Sequence, residues 1–159
     1  MSRQAEAILA LARRKGRRIA TAESCTGGMV AAAITAVAGS SAVFDGGIVS
    51  YANAAKVHLL GVPEPLLAQH GAVSEPVAQV MAEGARARLG VDIAVSVTGI
   101  AGPGGATADK PVGRVCFGLA RTDRPTRTET VDFGALGRGA VRRAATRHAL
   151  GLIAGALSD

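Results

Sequence analysis

Aromatic side chains are nearly missing from this chain. It has no tryptophan, one tyrosine and three phenylalanines, 3% of 159 residues in all. A protein that grips single-stranded nucleic acid by stacking bases on aromatic rings needs more than that. The core must be assembled from Ala, Val, Leu and Ile, which is feasible because hydrophobic residues make up 48% of the chain. Two cysteines, Cys25 and Cys116, allow at most one disulfide, and a disulfide-stapled secreted scaffold is excluded. No apolar run approaches the ~20 residues of a membrane span. The N-terminus, with Arg3 and Glu6 on a helical pattern, lacks the layout of a signal peptide. These absences lead us to expect one domain over residues 1–159, located in the cytoplasm with no membrane partner and with its thiols reduced.

The chain is rich in basic residues, with a net charge of +6. Five of the six positions from Arg13 to Arg18 are basic, and Arg138, Arg142, Arg143 and Arg147 form a second cluster. Such charge fits an anionic partner, either nucleic acid or a phosphorylated small molecule. For the first cluster a solvated helix end is the better reading, because cations suit the negative end of a helix dipole.

The hydrophobic pattern predicts helices over 3–15, 26–38, 53–60, 74–89 and 138–157, with a further helical turn at 63–69. Strands are predicted at 17–23, 43–51, 93–98, 114–121 and 126–133. Asn53 is read as a helix cap. Asp123-Arg124-Pro125 joins the last two strands as a hairpin turn. This alternation predicts an α/β fold, a three-layer α/β/α sandwich over a mixed, mostly parallel sheet with one antiparallel strand.

The most informative stretch is Thr-Ala-Glu-Ser-Cys-Thr-Gly-Gly at 21–28. A strand ending at Ser24 and a helix starting near Thr26 would place a hydroxyl, a thiol and two glycines at one strand-to-helix turn. Backbone N–H groups at such a turn are free to meet an anion. Three more segments fall at predicted strand ends or loops: 46–56, 71–74 and 98–105. Open α/β sheets bind ligands at strand carboxyl ends, so all four segments can converge on one crevice.

Ser24 needs a base to act as a nucleophile. His58 and His148 fall inside predicted helices and His70 ends one, so each is assigned to surface or packing. Their spacing matches no metal motif, and no metal or cofactor is expected. Lys56 stands one turn into the helix after Tyr51. It serves as a base only if burial lowers its pKa from about 10.4; otherwise it is an exposed helix lysine. Tyr51 either packs at a strand end or joins Ser24 and Lys56 in a proton relay. Cys25, the rival nucleophile, is assigned to the core, since neighbours at a tight turn point opposite ways. Glu23 can cap, pair with a base or simply end the strand. The glycine-rich loop at 99–105 lacks the Lys-Ser/Thr ending of a P-loop.

Taken together, TAESCTGG at 21–28, GGIVSYANAAK at 46–56, GAVSE at 71–75, VTGIAGPGG at 97–105 and KPVG at 110–113 resemble the C-terminal domain of the CinA competence/damage-inducible protein family. Stand-alone members of that family are nicotinamide mononucleotide deamidases, and this chain resembles that form. The resemblance implies the same three-layer fold and hydrolysis of the carboxamide of nicotinamide mononucleotide to nicotinate mononucleotide and ammonia. It implies catalytic roles for Ser24, Tyr51 and Lys56, and substrate contacts from Thr98 and from Arg138, with Arg142 one turn on. Backbone groups of Cys25, Thr26, Gly27, Gly28 and Gly99 are the remaining candidates for substrate binding. The phosphate is expected near Ser40-Ser41, the glycine-rich loop, or Arg138 and Arg142. A homodimer is implied as well. The alternatives are a non-catalytic nucleotide-binding or competence-associated regulatory module and, last, a nucleic-acid-binding accessory.

Overall fold

The computed structural model describes residues 1–159. Helix α1 (Ser2–Lys15) leads into β1 (Ile19–Glu23), α2 (Met29–Thr35), a 3-10 turn at Ser40–Ala42 and β2 (Phe44–Val49). Helices α3 (Asn53–Leu60), α4 (Glu64–His70) and α5 (Glu75–Leu89) follow. The chain closes with β3 (Ile93–Gly99), β4 (Arg114–Arg121), β5 (Arg127–Asp132) and α6 (Arg138–Ser158).

The sheet order is β2-β1-β3-β4-β5. β1 pairs parallel with both β2 and β3, while β4 runs antiparallel to β3 and β5. One strand of five therefore opposes the rest, as the sequence pattern predicts. From β1 the chain first moves to one side, through α2 to β2, and then crosses to the other side, through α3–α5 to β3. Right-handed crossovers in opposite directions put their helices on opposite faces. Accordingly α1, α2 and α6 pack on one face around Ile19, Val95, Val97 and Phe117. Leu60, Val77 and Met81 of α3 and α5 pack on the other, over Ala20, Ala22 and Ala94. The point where the chain reverses lies at the carboxyl end of β1, where an open α/β sheet forms its ligand crevice.

Burial follows position in the sheet. β1 is buried at every residue, β3 and β4 at nearly all, and the edge strands β2 and β5 alternate. With so few aromatics, close approach replaces bulk. A Cβ at Gly118 of β4 would lie 2.4 Å from the Ala78 carbonyl oxygen of α5, so the helix rests almost on the strand backbone. The neighbouring Ser96 Oγ, on β3, donates to that same carbonyl at 2.5 Å.

Several boundaries differ from expectation. The second helix spans Met29–Thr35 and not 26–38, because Gly27 and Gly28 take φ of 59° and 104°. Asn53 is the first residue of α3, not its cap; Ala52 is the cap, and no side chain serves there. Ser74 does cap α5, accepting from Val77 N at 3.4 Å. The basic run at 13–18 is largely consumed locally: Arg13 donates to the Gly39 carbonyl, Arg17 pairs with Asp92 and Asp123, and Arg18 pairs with Asp45. No helix is long and apolar enough to cross a membrane.

Gly118→Ala should overpack the α5–β4 contact and cost about 1–3 kcal/mol. Gly151→Ala, on the open face of α6 with nothing within 4 Å of the added methyl, should gain about 0.5–1 kcal/mol from reduced unfolded-state entropy. Urea denaturation of the two variants beside the parent checks both signs.

Candidate active site

Register delivers the site. Glu23 lies opposite Val49 of β2 and Val97 of β3, so β1 and β2 end level and β3 runs two residues further. Ser24 N donates to the Val97 carbonyl at 2.8 Å, and Ser50 N to the Glu23 carbonyl at 2.9 Å. Ser24 and Tyr51, just past the ends of β1 and β2, and Thr98, near the end of β3, share the rim of one cavity of about 290 Å³. Cys25, Asn53, Lys56 and Arg138 also line it, and the loop from Gly99 to Gly105 forms one wall.

Lys56 is 1% exposed, although its chain position alone would allow a surface lysine. Its Nζ donates to Ser24 Oγ at 3.1 Å and to the Tyr51 carbonyl at 3.2 Å. It makes no ion pair with any carboxylate. Burial pushes its pKa below the ordinary lysine value, with a small opposing pull from Cys25. A buried amine without a carboxylate is driven toward its neutral form, which has a lone pair to accept a proton from a serine hydroxyl.

Cys25 is 5% exposed and belongs to the core cluster of α1, α2 and α6. Burial pushes its thiol up to about 11, outweighing the lowering by its own backbone N–H and by Arg142. A thiol this reluctant to ionise is a poor nucleophile.

Glu23 proves to be a helix cap. It is 1% exposed, and its carboxylate accepts from Thr26 Oγ1 at 2.7 Å, Val30 N at 2.9 Å and Ala31 N at 3.0 Å. The positive end of α2 is thereby neutralised from within the chain, so that helix end is not free for a substrate anion. The sequence gives little warning of this, since the usual capping box places its acid after the hydroxyl residue, not before it.

The remaining expectations separate. Thr98 lines the cavity and donates to the Ala72 carbonyl at 2.9 Å, tying two cavity walls together. Gly99 lines it too. Arg138 stands at the rim, where its Nη1 donates to the Gly102 carbonyl at 2.9 Å and its Nη2 to Tyr51 Oη at 2.7 Å. Tyr51 is 57% exposed, and its phenol does not bridge Ser24 and Lys56. Only its main-chain carbonyl reaches the lysine. Thr26, Gly27 and Gly28 form the turn beneath Ser24 without lining the cavity, and the Thr26 hydroxyl is committed to Glu23. Arg142 does not line it either; its guanidinium is spent on the Cys25 and Thr26 carbonyls. Ser40 and Ser41 precede β2 and so lie at the amino end of the parallel strands, opposite the cavity. Asn53, Ala72 and Val73 line the cavity without having been singled out as ligand contacts.

Comparison with known proteins bears on this geometry. The model of the CinA C-terminal domain matches residues 1–157. The chain belongs to that family. A CinA-like protein from Mycobacterium sp. (strain JLS) is 57% identical over 144 residues, covering 91% of this chain and 34% of that protein. A putative competence-damage inducible protein from Symbiobacterium thermophilum is 54% identical over 155 residues, covering 93% and 36%. The chain thus spans about a third of the length of the curated relatives it matches. Among solved structures, the competence/damage inducible protein CihA from Agrobacterium tumefaciens is similar with a TM-score of 0.96 and 43% identity, covering 99% of this chain and 95% of that one. The competence damage-inducible protein A (ComA) from Klebsiella pneumoniae is similar with a TM-score of 0.94 and 36% identity, covering 99% and 96%. The fold is therefore shared with these two solved structures over nearly the whole chain.

Two stability predictions follow from the buried groups. Glu23→Gln replaces an acceptor oxygen with a donor facing backbone N–H groups, and should cost about 1–3 kcal/mol in urea denaturation. Lys56→Met should stabilise the fold at neutral pH. The folded pKa of Lys56 is depressed, so between that value and the unfolded value of about 10.4 the unfolded chain binds more protons. Parent stability then rises with pH across this window. The thermal advantage of Lys56→Met should be largest below the folded pKa and vanish as pH passes about 10.4.

Proposed function

We propose that this domain is an amidohydrolase that converts nicotinamide mononucleotide to nicotinate mononucleotide and ammonia, with Ser24 as nucleophile and Lys56 as general base. The observation carrying this reading is the 3.1 Å contact between a buried, carboxylate-free Lys56 Nζ and Ser24 Oγ. A serine paired directly with a lysine base is a known variant of the serine–base arrangement.

In this mechanism neutral Lys56 takes the Oγ proton as Ser24 bonds to the carboxamide carbon. The Cys25 amide, in the one residue of the 25–28 turn that lines the cavity, stabilises the resulting oxyanion; such a donor is worth about 3 kcal/mol. The Lys56 ammonium then protonates the amide nitrogen, the C–N bond breaks and ammonia leaves. Water gives its proton to Lys56, attacks the ester on Ser24 and releases the carboxylate, and the proton returns to Oγ. The Tyr51 carbonyl holds the amine in line throughout. The phenol of Tyr51 and the guanidinium of Arg138 stand together at the cavity rim, where they meet the nucleotide portion and its phosphate, not the reacting atoms. The cavity volume of about 290 Å³ suits a small molecule.

Ser24→Ala and Lys56→Ala should each lower ammonia release from nicotinamide mononucleotide by a factor on the order of 10⁴ or more, with unchanged circular dichroism. In the parent, kcat/KM should rise with pH through a Lys56 pKa below about 10.4. Comparison of nicotinamide, its riboside and its mononucleotide tests the need for phosphate. Full activity in either variant, or nucleotide binding without ammonia release by the parent, refutes the proposal.

A further inference from the structure

Lys56 lines the cavity, and nothing else that lines it can serve an ammonium as counter-ion, because the lining contains no aspartate and no glutamate. Glu23, one residue before Ser24, is spent on Thr26 Oγ1 and the Val30 and Ala31 amides. The helix packed on α3 brings no acid either. On α5, Glu75 accepts from Thr128 and Thr130 of β5, and Glu83 from Gln79 of its own helix. The other titratable or charged groups at the cavity are Cys25 after β1, Tyr51 before α3 and Arg138 at the start of α6. Arg86 and Arg88 belong to the last turn of α5, beside the far end of α3, and His58 is exposed. The walls at 72–73 and 99–105 carry no charge.

Acyl transfer itself supplies the missing acid. The acyl group is bonded to Ser24 Oγ, which lies 3.1 Å from Lys56 Nζ. When water frees it, the acid carries one proton beyond its carboxylate, and a carboxyl group ordinarily gives that proton up near pH ~4. The neutral amine beside it takes the proton, leaving a carboxylate against an ammonium. An ammonium has three N–H donors. Ser24 Oγ and the Tyr51 carbonyl occupy two of them, and the third is left for a carboxylate oxygen. An uncharged carboxamide in the same place offers no such pairing. An opposite charge within about 4–6 Å draws an amine toward its charged form, so a bound carboxylate reverses the effect of burial at this position.

We infer that the depth of this cavity is a carboxylate-binding site with protonated Lys56 as counter-ion, and that the domain is held back by its own acid product. The inference rests on the serine–lysine acyl-transfer reading of the site and extends it to the regulation of that site. Because the carboxylate pairs with the ammonium form, its affinity is full below the Lys56 midpoint of the free protein. Above that midpoint it falls by about tenfold per pH unit, until the midpoint of the complex is reached. Arg138 keeps its charge throughout and cannot produce this dependence.

The test is isothermal titration calorimetry of the parent and of Lys56→Met with nicotinate mononucleotide, in buffers of low and high ionisation enthalpy. Running it from about pH 7 to about pH 10 stays above the phosphate's own titration near ~6. The parent should take up close to one proton at pH values above its free Lys56 midpoint, and its affinity should fall as pH rises. Lys56→Met should bind the nucleotide about 10- to 100-fold more weakly at neutral pH, without proton uptake. In turnover, nicotinate mononucleotide should inhibit ammonia release competitively, and more weakly as pH rises. Equal binding by the two proteins, or parent binding without proton uptake and with pH-independent affinity, overturns the inference. If Lys56→Met does not fold, the proton uptake of the parent decides alone. Absence of ammonia release while these dependences hold refutes the proposed reaction and leaves the carboxylate site standing. A parent that binds no nicotinate mononucleotide refutes the proposed substrate, and a fragment then decides the site. In protein with isotope-labelled lysine, nicotinate should raise the Lys56 midpoint read by NMR, while 3-acetylpyridine, of the same shape and uncharged, should not. A midpoint unmoved by nicotinate overturns the inference equally.

Discussion

The arrangement turns on a lysine amine that has been taken out of water without a carboxylate to accompany it. Burying an ammonium unpaired is costly, and proteins relieve that cost by shifting the group toward neutrality. Lys56 meets only a serine hydroxyl and a main-chain carbonyl. Neither demands that the amine stay charged, and one of them is a proton source. The same desolvation that weakens the fold at this position favours the neutral amine.

The rest of the molecule makes that burial possible. The neighbouring carboxyl ends of β1, β2 and β3 bring Ser24, the Tyr51 carbonyl and Thr98 to one cavity. The segment Ser50–Ala52 turns the chain so that α3 drops Lys56 back beneath the strand end. Small residues let the layers close tightly enough to exclude water, as the approach of α5 to Gly118 illustrates. Two charged groups then secure the turn after Ser24, buried Glu23 through the start of α2 and half-buried Arg142 through the carbonyls of Cys25 and Thr26. A turn braced in this way holds Ser24 and the Cys25 end of the cavity in one arrangement.

Much of this is legible in the sequence, and the parts that are not have identifiable reasons. The period-2 and period-3.6 patterns locate every strand and helix, and the family's motifs sit at the strand ends that form the cavity. The direct Ser24–Lys56 contact matches the expected pairing. The phenol of Tyr51 escapes such reading because pattern fixes where a backbone goes and not which way an exposed side chain turns; here it turns to Arg138. Arg138 and Arg142 share one helical face, so spacing cannot tell the cavity residue from the one that holds the Cys25 and Thr26 carbonyls. The early start assumed for α2 fails because two positive-φ glycines and the Glu23 carboxylate hold 26–28 in a turn. Ser40-Ser41 could have been excluded by topology alone, since residues that precede a parallel strand lie at the end of the sheet opposite those that follow its neighbour.

The most direct test is the protonation state of Lys56 itself. Selective isotope labelling of lysine, with a Lys56→Met variant to assign the signal, lets its side-chain resonance be titrated by NMR. The account predicts a midpoint clearly below the free-lysine value of about 10.4, moving upward when a carboxylate is introduced beside it by Ser24→Asp. A Lys56 that titrates at or above the ordinary lysine value would mean that the amine is charged whenever the protein works, and the account would be contradicted.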